Sequence, residues 1–339
     1  MKGWWWKLLA VVLLLYVVVV GLRTPLGPAL VHVSIGRIAP GPVSFEATGY
    51  NTHFSTDRPQ VWLENDGQRW CAAEVNALSE VSFVAQFHVP EGFRANLTSL
   101  WASSATDGTV VLREAFYTEG RGDGIAEQLC TAGPDARAGF SFPNRSILNE
   151  TIRNLFFHVP MWFTMMVLMT IAFWQSLRVL RTGGLDADRM ALSAVDVSLL
   201  FAALGLLTGS IWARVTWGTW WTSDPKLNGA AVSVLIYAAY LVLRGSVPDP
   251  HKRARLAAVY NIFAYVLMMV FIMVLPRLTD SLHPGSGGNP AFNQYDLDSS
   301  LRAVFYPAVV GWILLGIWAY TLHSRAARLR SLLDEANDR

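Results

Sequence analysis

Val195-Asp-Val-Ser-Leu-Leu-Phe-Ala-Ala-Leu-Gly-Leu-Leu-Thr-Gly-Ser-Ile-Trp-Ala-Arg-Val-Thr-Trp217-Gly-Thr-Trp-Trp-Thr-Ser-Asp224-Pro-Lys-Leu227 is the stretch on which the reading of this chain turns. From Val195 to Ala213 one charge, Asp196, interrupts an otherwise uncharged run. That length matches the ~20 apolar residues a helix needs to cross a ~30 Å hydrocarbon core. Trp212, Trp217, Trp220 and Trp221 then crowd one end of the run, and Asp224-Pro225 fits the N-cap and first position of a following helix. Two readings of the tryptophans stand. They form an aromatic belt at headgroup level, or a platform for a large flat apolar ligand, since indole offers a wide rigid face with a polar edge. A packed loop with an embedded glycine favours the platform over the scattered aromatics of a belt.

Outward from this stretch the same pattern repeats. The chain is 53% hydrophobic and 15% charged, against about a quarter charged in a soluble domain. Apolar spans are predicted at Leu8–Leu22, Leu155–Leu177, Val195–Ala213, Gly229–Leu243, Ala257–Leu275 and Ala303–Leu322. The first follows Lys2, Trp4, Trp5, Trp6 and Lys7, and reads as an uncleaved anchor rather than a signal peptide. The loops after the second and fourth spans, and the tail after the sixth, carry Arg178, Arg181 and Arg189; Arg244, Lys252, Arg253 and Arg255; and Arg325, Arg328 and Arg330. The positive-inside rule then puts both termini in the cytoplasm of a bacterial-type inner membrane.

Residues 23–154 differ in kind. Short alternating runs such as Gln60–Glu64, Val81–His88 and Thr109–Arg113 lie between Gly, Pro, Asn and Asp signals, which predicts a β-sandwich. The expected fold is therefore a mainly α integral membrane protein of six transmembrane helices, with an external β-sandwich-like insert between the first and second. The expected division is an anchor over 1–22, a periplasmic β-rich domain over 23–154, a five-helix bundle over 155–323 and a cytoplasmic helical tail over 324–339. Cys71 and Cys130, the two cysteines of the chain, form one disulfide if that compartment is oxidising, or stand as two buried thiols.

Several classes are excluded early. A formal net charge of +2 does not point to nucleic acid. No C-x-x-C pattern and no phosphate-cradling glycine loop appears. Among the seven histidines, His251 and His323 fall on the cytoplasmic side, and His32, His53 and His88 in or near the β-domain. His158 opens the second span, and His283 follows the outer end of the fifth. An imidazole near the membrane interface is a functional candidate, or a polar residue bonded to a carbonyl. Two outer-facing histidines beside a tryptophan loop suggest a porphyrin, whose iron takes axial imidazoles and whose disc is flat and apolar. Zinc fits less well, because no cysteine and few carboxylates accompany the pair.

Residues Leu207–Leu227 resemble the tryptophan-rich signature of the heme-handling proteins of cytochrome c maturation. Phe157-His-Val-Pro and Leu282-His-Pro resemble the flanking histidine motifs of their CcmC branch. The resemblance covers about residues 150–285 well and the terminal spans loosely. It implies six spans, His158 and His283 as axial ligands of heme b, and a heme-binding loop containing Trp217, Gly218, Trp220, Trp221 and Asp224. It also implies delivery of heme to a membrane-anchored CcmE-like chaperone, with CcmA-like and CcmB-like transporter subunits and a small CcmD-like protein as partners. The sequence departs from the family at Ser223, where another aromatic usually stands, and in the length of the β-insert. Its position predicts that the insert docks the chaperone or a neighbouring subunit. Heme binding and presentation, rather than enzymatic catalysis, is the expected function. The alternatives are a heme lyase component, a non-heme assembly subunit acting through the β-domain, and a plain transporter subunit.

Overall fold

The computed structural model describes residues 3–65, 67–92, 96–119, 140–145, 148–283 and 297–337. The chain forms two compact units, one of residues 24–150 and one of residues 1–23 with 151–339.

The first unit is built from β1 (Ala29–Val33), β2 (Arg37–Ile38), β3 (Gly41–Tyr50), β4 (Gln60–Asn65), β5 (Gln68–Cys71), β6 (Glu74–Ala77), β7 (Ser82–Val89), β8 (Asn96–Ser104) and β9 (Gly108–Thr118). They make two sheets, ordered β1-β3-β7-β6 and β2-β9-β8-β4-β5. Alternation decides the faces. On β7, Phe83, Ala85, Phe87 and Val89 are buried at every second position, as the two-residue period of a strand requires. Phe45 of the first sheet meets Phe116 of the second with ring centroids 4.7 Å apart. That contact closes a sandwich core, and each buried phenylalanine contributes roughly 1.5–3 kcal/mol. The predicted runs Gln60–Glu64 and Thr109–Arg113 fall within β4 and β9, and Val81–His88 overlaps β7 except for Val81, which precedes it. Cys71 ends β5 and carries no free thiol, while its expected partner Cys130 lies outside the described residues.

The second unit is helical. It contains α1 (Trp5–Arg23), α2 (His158–Thr182), α3 (Leu185–Trp217), α4 (Pro225–Gly245), α5 (Pro250–Met269), a short α6 (Leu275–Leu278) and α7 (Ser299–Asn337). Among the described residues, six helical segments are long and apolar enough to cross a membrane, the fifth joining α5 to α6. Asp224 and Asp249 cap α4 and α5 by accepting from the N–H groups of Lys226 and Lys252, each followed by proline at the first helical position. Asp224 thus occupies the capping position expected of it. Among the described residues of the tail, α7 runs unbroken to Asn337.

Two departures from the predicted spans have local causes. The apolar run was expected to end at Ala213 and give way to a loop over 214–228, yet α3 continues to Trp217. Nothing between Ala213 and Trp217 forbids a helix, and the break comes at Gly218, whose φ of 76° is the left-handed conformation of a C-cap glycine. The connecting loop is therefore only 218–224, and Trp212 and Trp217 are helical. The fifth span does not stay α-helical either. Val270–Val274 forms a π turn in which the Leu275 N–H bonds the Val270 carbonyl. Pro276 follows, and its ring nitrogen has no hydrogen to continue the ladder. The chain leaves the helix within two residues of it and reaches His283.

Candidate functional site

The site is read from one stripe of α3. Gly205, Thr208, Gly209 and Trp212 stand at i, i+3, i+4 and i+7, the spacing that shares a helix face. His158 and Trp162, one turn apart at the start of α2, lie against it. A Cβ added to Gly209 would stand 2.7 Å from Cε1 of His158, and one added to Gly205 would stand 2.9 Å from Cε2 of Trp162. The Gly-x-x-x-Gly spacing thus lets two rings of α2 rest on the backbone of α3, the small-residue packing that membrane helices use where they approach closely.

Hydrogen bonding fixes the His158 ring. Its Nδ1 lies 3.0 Å from the Gly205 carbonyl oxygen and 3.2 Å from Oγ1 of Thr208. A carbonyl can only accept, so Nδ1 carries the proton and donates. The lone pair of neutral His158 is then on Nε2.

His283 is held by a different device with the same result. Asp224, buried at the start of α4, takes four donors. Its Oδ1 accepts from the Lys226 N–H at 2.9 Å and faces Nδ1 of His283 at 3.2 Å. Its Oδ2 accepts from the Ser281 hydroxyl and the Leu282 N–H, each at 2.8 Å. Two carboxylate oxygens offer about four lone-pair sites, so this carboxylate is fully used. The His283 N–H also donates to Oγ of Ser281 at 3.1 Å. Here too the acceptor on Nδ1 puts the free lone pair on Nε2.

The charges follow from this packing. Burial pulls the Asp224 carboxyl upward, but the Ser281 hydroxyl, the Leu282 N–H, the His283 imidazole and the Lys226 N–H outweigh it and hold it below the usual carboxylate range. Burial pushes His283 below the ordinary histidine value, against the opposing pull of Asp224 and with a small contribution from Lys226. His283 is therefore neutral at neutral pH.

The tryptophans divide into two pairs. Trp212 and Trp217 turn toward His283, with ring centroids 5.6 Å and 4.9 Å away, the second edge-on at 83°. Trp220 and Trp221 stand on the loop, 60% and 42% exposed. The loop holds its shape through the Thr219 hydroxyl donating to the Trp221 carbonyl at 2.7 Å, and the Trp221 indole N–H donating to Oδ1 of Asn228 at 3.2 Å. Of the predicted site residues, Trp217, Asp224 and His283 thus form one contact group. His158 lies on the same α3 stripe, within electrostatic reach of His283. Gly218 supplies the turn, and Trp220 and Trp221 supply exposed faces.

Sequence reasoning missed Ser281 and the Gly205/Gly209 pair as parts of this arrangement, and placed Trp212 among the tryptophans without its contact to His283. Gly-x-x-x-Gly seven residues before Trp212 was a readable signal. Ser281 was not, because only the fold brings it to Asp224.

Among the described residues no group of three or more His, Cys, Asp or Glu side chains is arranged to hold a bare metal ion. Two imidazoles with free Nε2 atoms beside flat aromatic faces instead suit a metal already carried by a macrocycle.

Comparison with known proteins finds named relatives. Heme exporter protein C of Paracoccus denitrificans is 27% identical over 210 residues, covering 59% of this chain and 84% of its own. Heme exporter protein C of Bradyrhizobium diazoefficiens is 38% identical over 185 residues, covering 52% of this chain and 66% of its own. The cytochrome c biogenesis protein CcsA of Prochlorococcus marinus (strain MED4) is 37% identical over 90 residues, 26% of this chain and 29% of its own. The model of the CcmC family, heme exporter protein C, matches residues 127–337, which include both histidines and the tryptophan loop but none of the sandwich strands. This chain belongs to the heme exporter protein C family.

Proposed function

We propose that this multi-pass membrane protein handles heme for cytochrome c biogenesis, binding it through His158 and His283 and presenting it beside the tryptophan loop. The names of the relatives, heme exporter protein C and cytochrome c biogenesis protein CcsA, support the cargo and the process. The observation that carries the site assignment is that each imidazole is pinned through Nδ1 to an acceptor, which leaves Nε2 for iron.

Heme brings an iron that accepts imidazole at its axial positions and a flat apolar ring system. His158 and His283 would hold the iron, and the Trp217, Trp220 and Trp221 rings would supply apolar faces to the macrocycle. Gly205, Thr208 and Asp224 fix the tautomers, so Nε2 of each ring would be the atom offered to iron. The cargo is heme b, held without a covalent bond, and the recipient is a CcmE-like chaperone that works with CcmA-like, CcmB-like and CcmD-like partners. The histidine face lies outside the inner membrane with both termini in the cytoplasm, because the basic loops sit at the opposite ends of the spans. The sandwich docks the chaperone or a neighbouring subunit. This is a handling role rather than catalysis.

The test is maturation of c-type cytochromes in cells that rely on this chain. His158→Ala and His283→Ala variants, present in the membrane at parental levels, should leave apocytochrome without heme. Undiminished maturation in both variants would overturn the assignment of the two ligands.

A further inference from the structure

At the end of the bundle opposite the histidines, α4 and α5 frame a groove of about 530 Å³. One stripe of α5 lines most of it. Lys252, Arg255, Leu256, Val259 and Phe263 follow the i, i+3, i+4, i+7, i+11 spacing of a single helix face, and the lining continues to Leu267. From Lys252 to Leu267 the stripe rises ~22 Å at 1.5 Å per residue, more than the ~15 Å depth of one leaflet in a ~30 Å core. Its walls are apolar, and both of its cations stand at one end.

Those two cations are available, unlike their neighbour. Arg244, at the end of α4, is committed to Asp188 through two contacts of 2.5 Å and 2.7 Å. Lys252 and Arg255 are exposed and form no ion pair among the described residues. Asp249 caps α5 through the Lys252 backbone N–H, not through its ammonium. The groove floor is sealed where the Tyr260 hydroxyl donates to the Ile236 carbonyl at 3.0 Å, tying α5 to α4.

We infer that this groove is a binding site for an anionic phospholipid, with its phosphate on Lys252 and Arg255 and one acyl chain along the Val259–Phe263 stripe. Charge complementarity selects this occupant. A transmembrane helix of a partner would cover the apolar wall but leave two cations unmatched at its end, whereas a lipid phosphate satisfies both. Basic pockets between helices at the cytoplasmic end of membrane proteins take anionic headgroups for this reason.

The experiment uses the full chain reconstituted in phosphatidylcholine bilayers with trace spin-labelled phosphatidylglycerol or spin-labelled phosphatidylcholine. The motionally restricted fraction of each label is measured by electron spin resonance. The parent should hold phosphatidylglycerol about 30-fold more strongly than phosphatidylcholine, the factor that two cations supply at about 1 kcal/mol each near a membrane surface. Lys252→Gln/Arg255→Gln should bring that ratio to about one. Val259→Trp, which keeps both cations and fills the groove with a side chain suited to lipid, should lower it as well. Arg325→Gln/Arg328→Gln, on the α7 tail, should leave it unchanged. The proposal fails if the parent shows no preference, if Val259→Trp keeps the full preference, or if the tail variant loses as much as the groove variant.

Discussion

Asp224 and His283 meet across 59 residues of sequence, carboxylate Oδ1 to imidazole Nδ1 at 3.2 Å, and the same carboxylate caps α4. One side chain therefore sets both where a helix begins and how the His283 ring points. The two duties separate by substitution. Asparagine caps a helix about as well as aspartate, but its neutral amide oxygen anchors imidazole more weakly. Asp224→Asn keeps an oxygen for the cap but turns an amide NH2 toward the donors that bond the second oxygen, and should weaken heme binding by about 10–100-fold, the usual cost of losing an outer-shell partner. Hemin titration of the two proteins measures it.

His283 also predicts a pH dependence whose sign is fixed. Burial holds its value below the ordinary 6.5 and Asp224 opposes burial, so the ring stays neutral to lower pH than a free histidine. Only the neutral ring binds iron, so acid release of heme should begin below pH 6.5 rather than at it. Asp224→Asn removes an upward influence and should lower the titration of the heme-free His283 ring further. Absorbance against pH of the loaded parent checks the first direction, and the ring resonance of the two heme-free proteins checks the second. An onset above 6.5 in the parent would contradict the buried, neutral His283.

Gly209 is the position where the smallest change should do most harm to His158. A methyl there would stand 2.7 Å from Cε1 of the ring, and relief requires either the imidazole or α2 to move. Gly209→Ala should cost about 1–3 kcal/mol of stability, as overpacking does, and should perturb the ligand field of bound heme. Gly209→Ala with an unchanged heme spectrum would mean the ring is not held against α3.

These residues also show what the sequence could and could not disclose. The spans, the capping role of Asp224 and the strands of the sandwich were legible because each rests on a local period or a local cap. The end of α3 was misplaced because hydropathy stops at Ala213, whereas the helix stops only where Gly218 permits a left-handed turn. The division of the tryptophans was not legible: Trp217 faces His283 only because the π turn ahead of Pro276 delivers that histidine back to α3. The bond from Ser281 to Asp224 depends on the same long-range return, and no spacing announces it.

The sandwich carries its own titrating pair. His53 places Nδ1 at 2.7 Å from Oδ1 of Asp107, and its backbone N–H bonds Oδ2 of the same residue at 2.7 Å. The side-chain bond to Asp107 raises the histidine above its ordinary value, against a small opposing effect of burial. A raised histidine lends stability that is complete below the unfolded value near 6.5 and is lost as pH rises through the folded value. In the full chain, the His53 ring resonance should therefore titrate above 6.5 and move down in Asp107→Asn. A parent midpoint at or below 6.5 would remove the pair.

A buried ion pair anchors the opposite end of the bundle. Arg244 and Asp188, with side chains only 10% and 11% exposed, join α4 to α3. Arg244→Met alone should destabilise the protein by about 3–5 kcal/mol, because it strands a buried carboxylate. Adding Asp188→Leu should recover most of that loss. Thermal unfolding in detergent compares the single and double variants, and a double variant as unstable as the single would contradict the argument.

The central claim is that His158 and His283 together bind heme, and the visible absorption spectrum of the detergent-purified protein tests it most directly. Loaded with hemin and reduced, the parent should show a Soret band with the split bands of low-spin, bis-imidazole iron. His158→Ala/His283→Ala should lose them. A parent that stays colourless after hemin is added, or a double variant with an unaltered spectrum, would contradict the account.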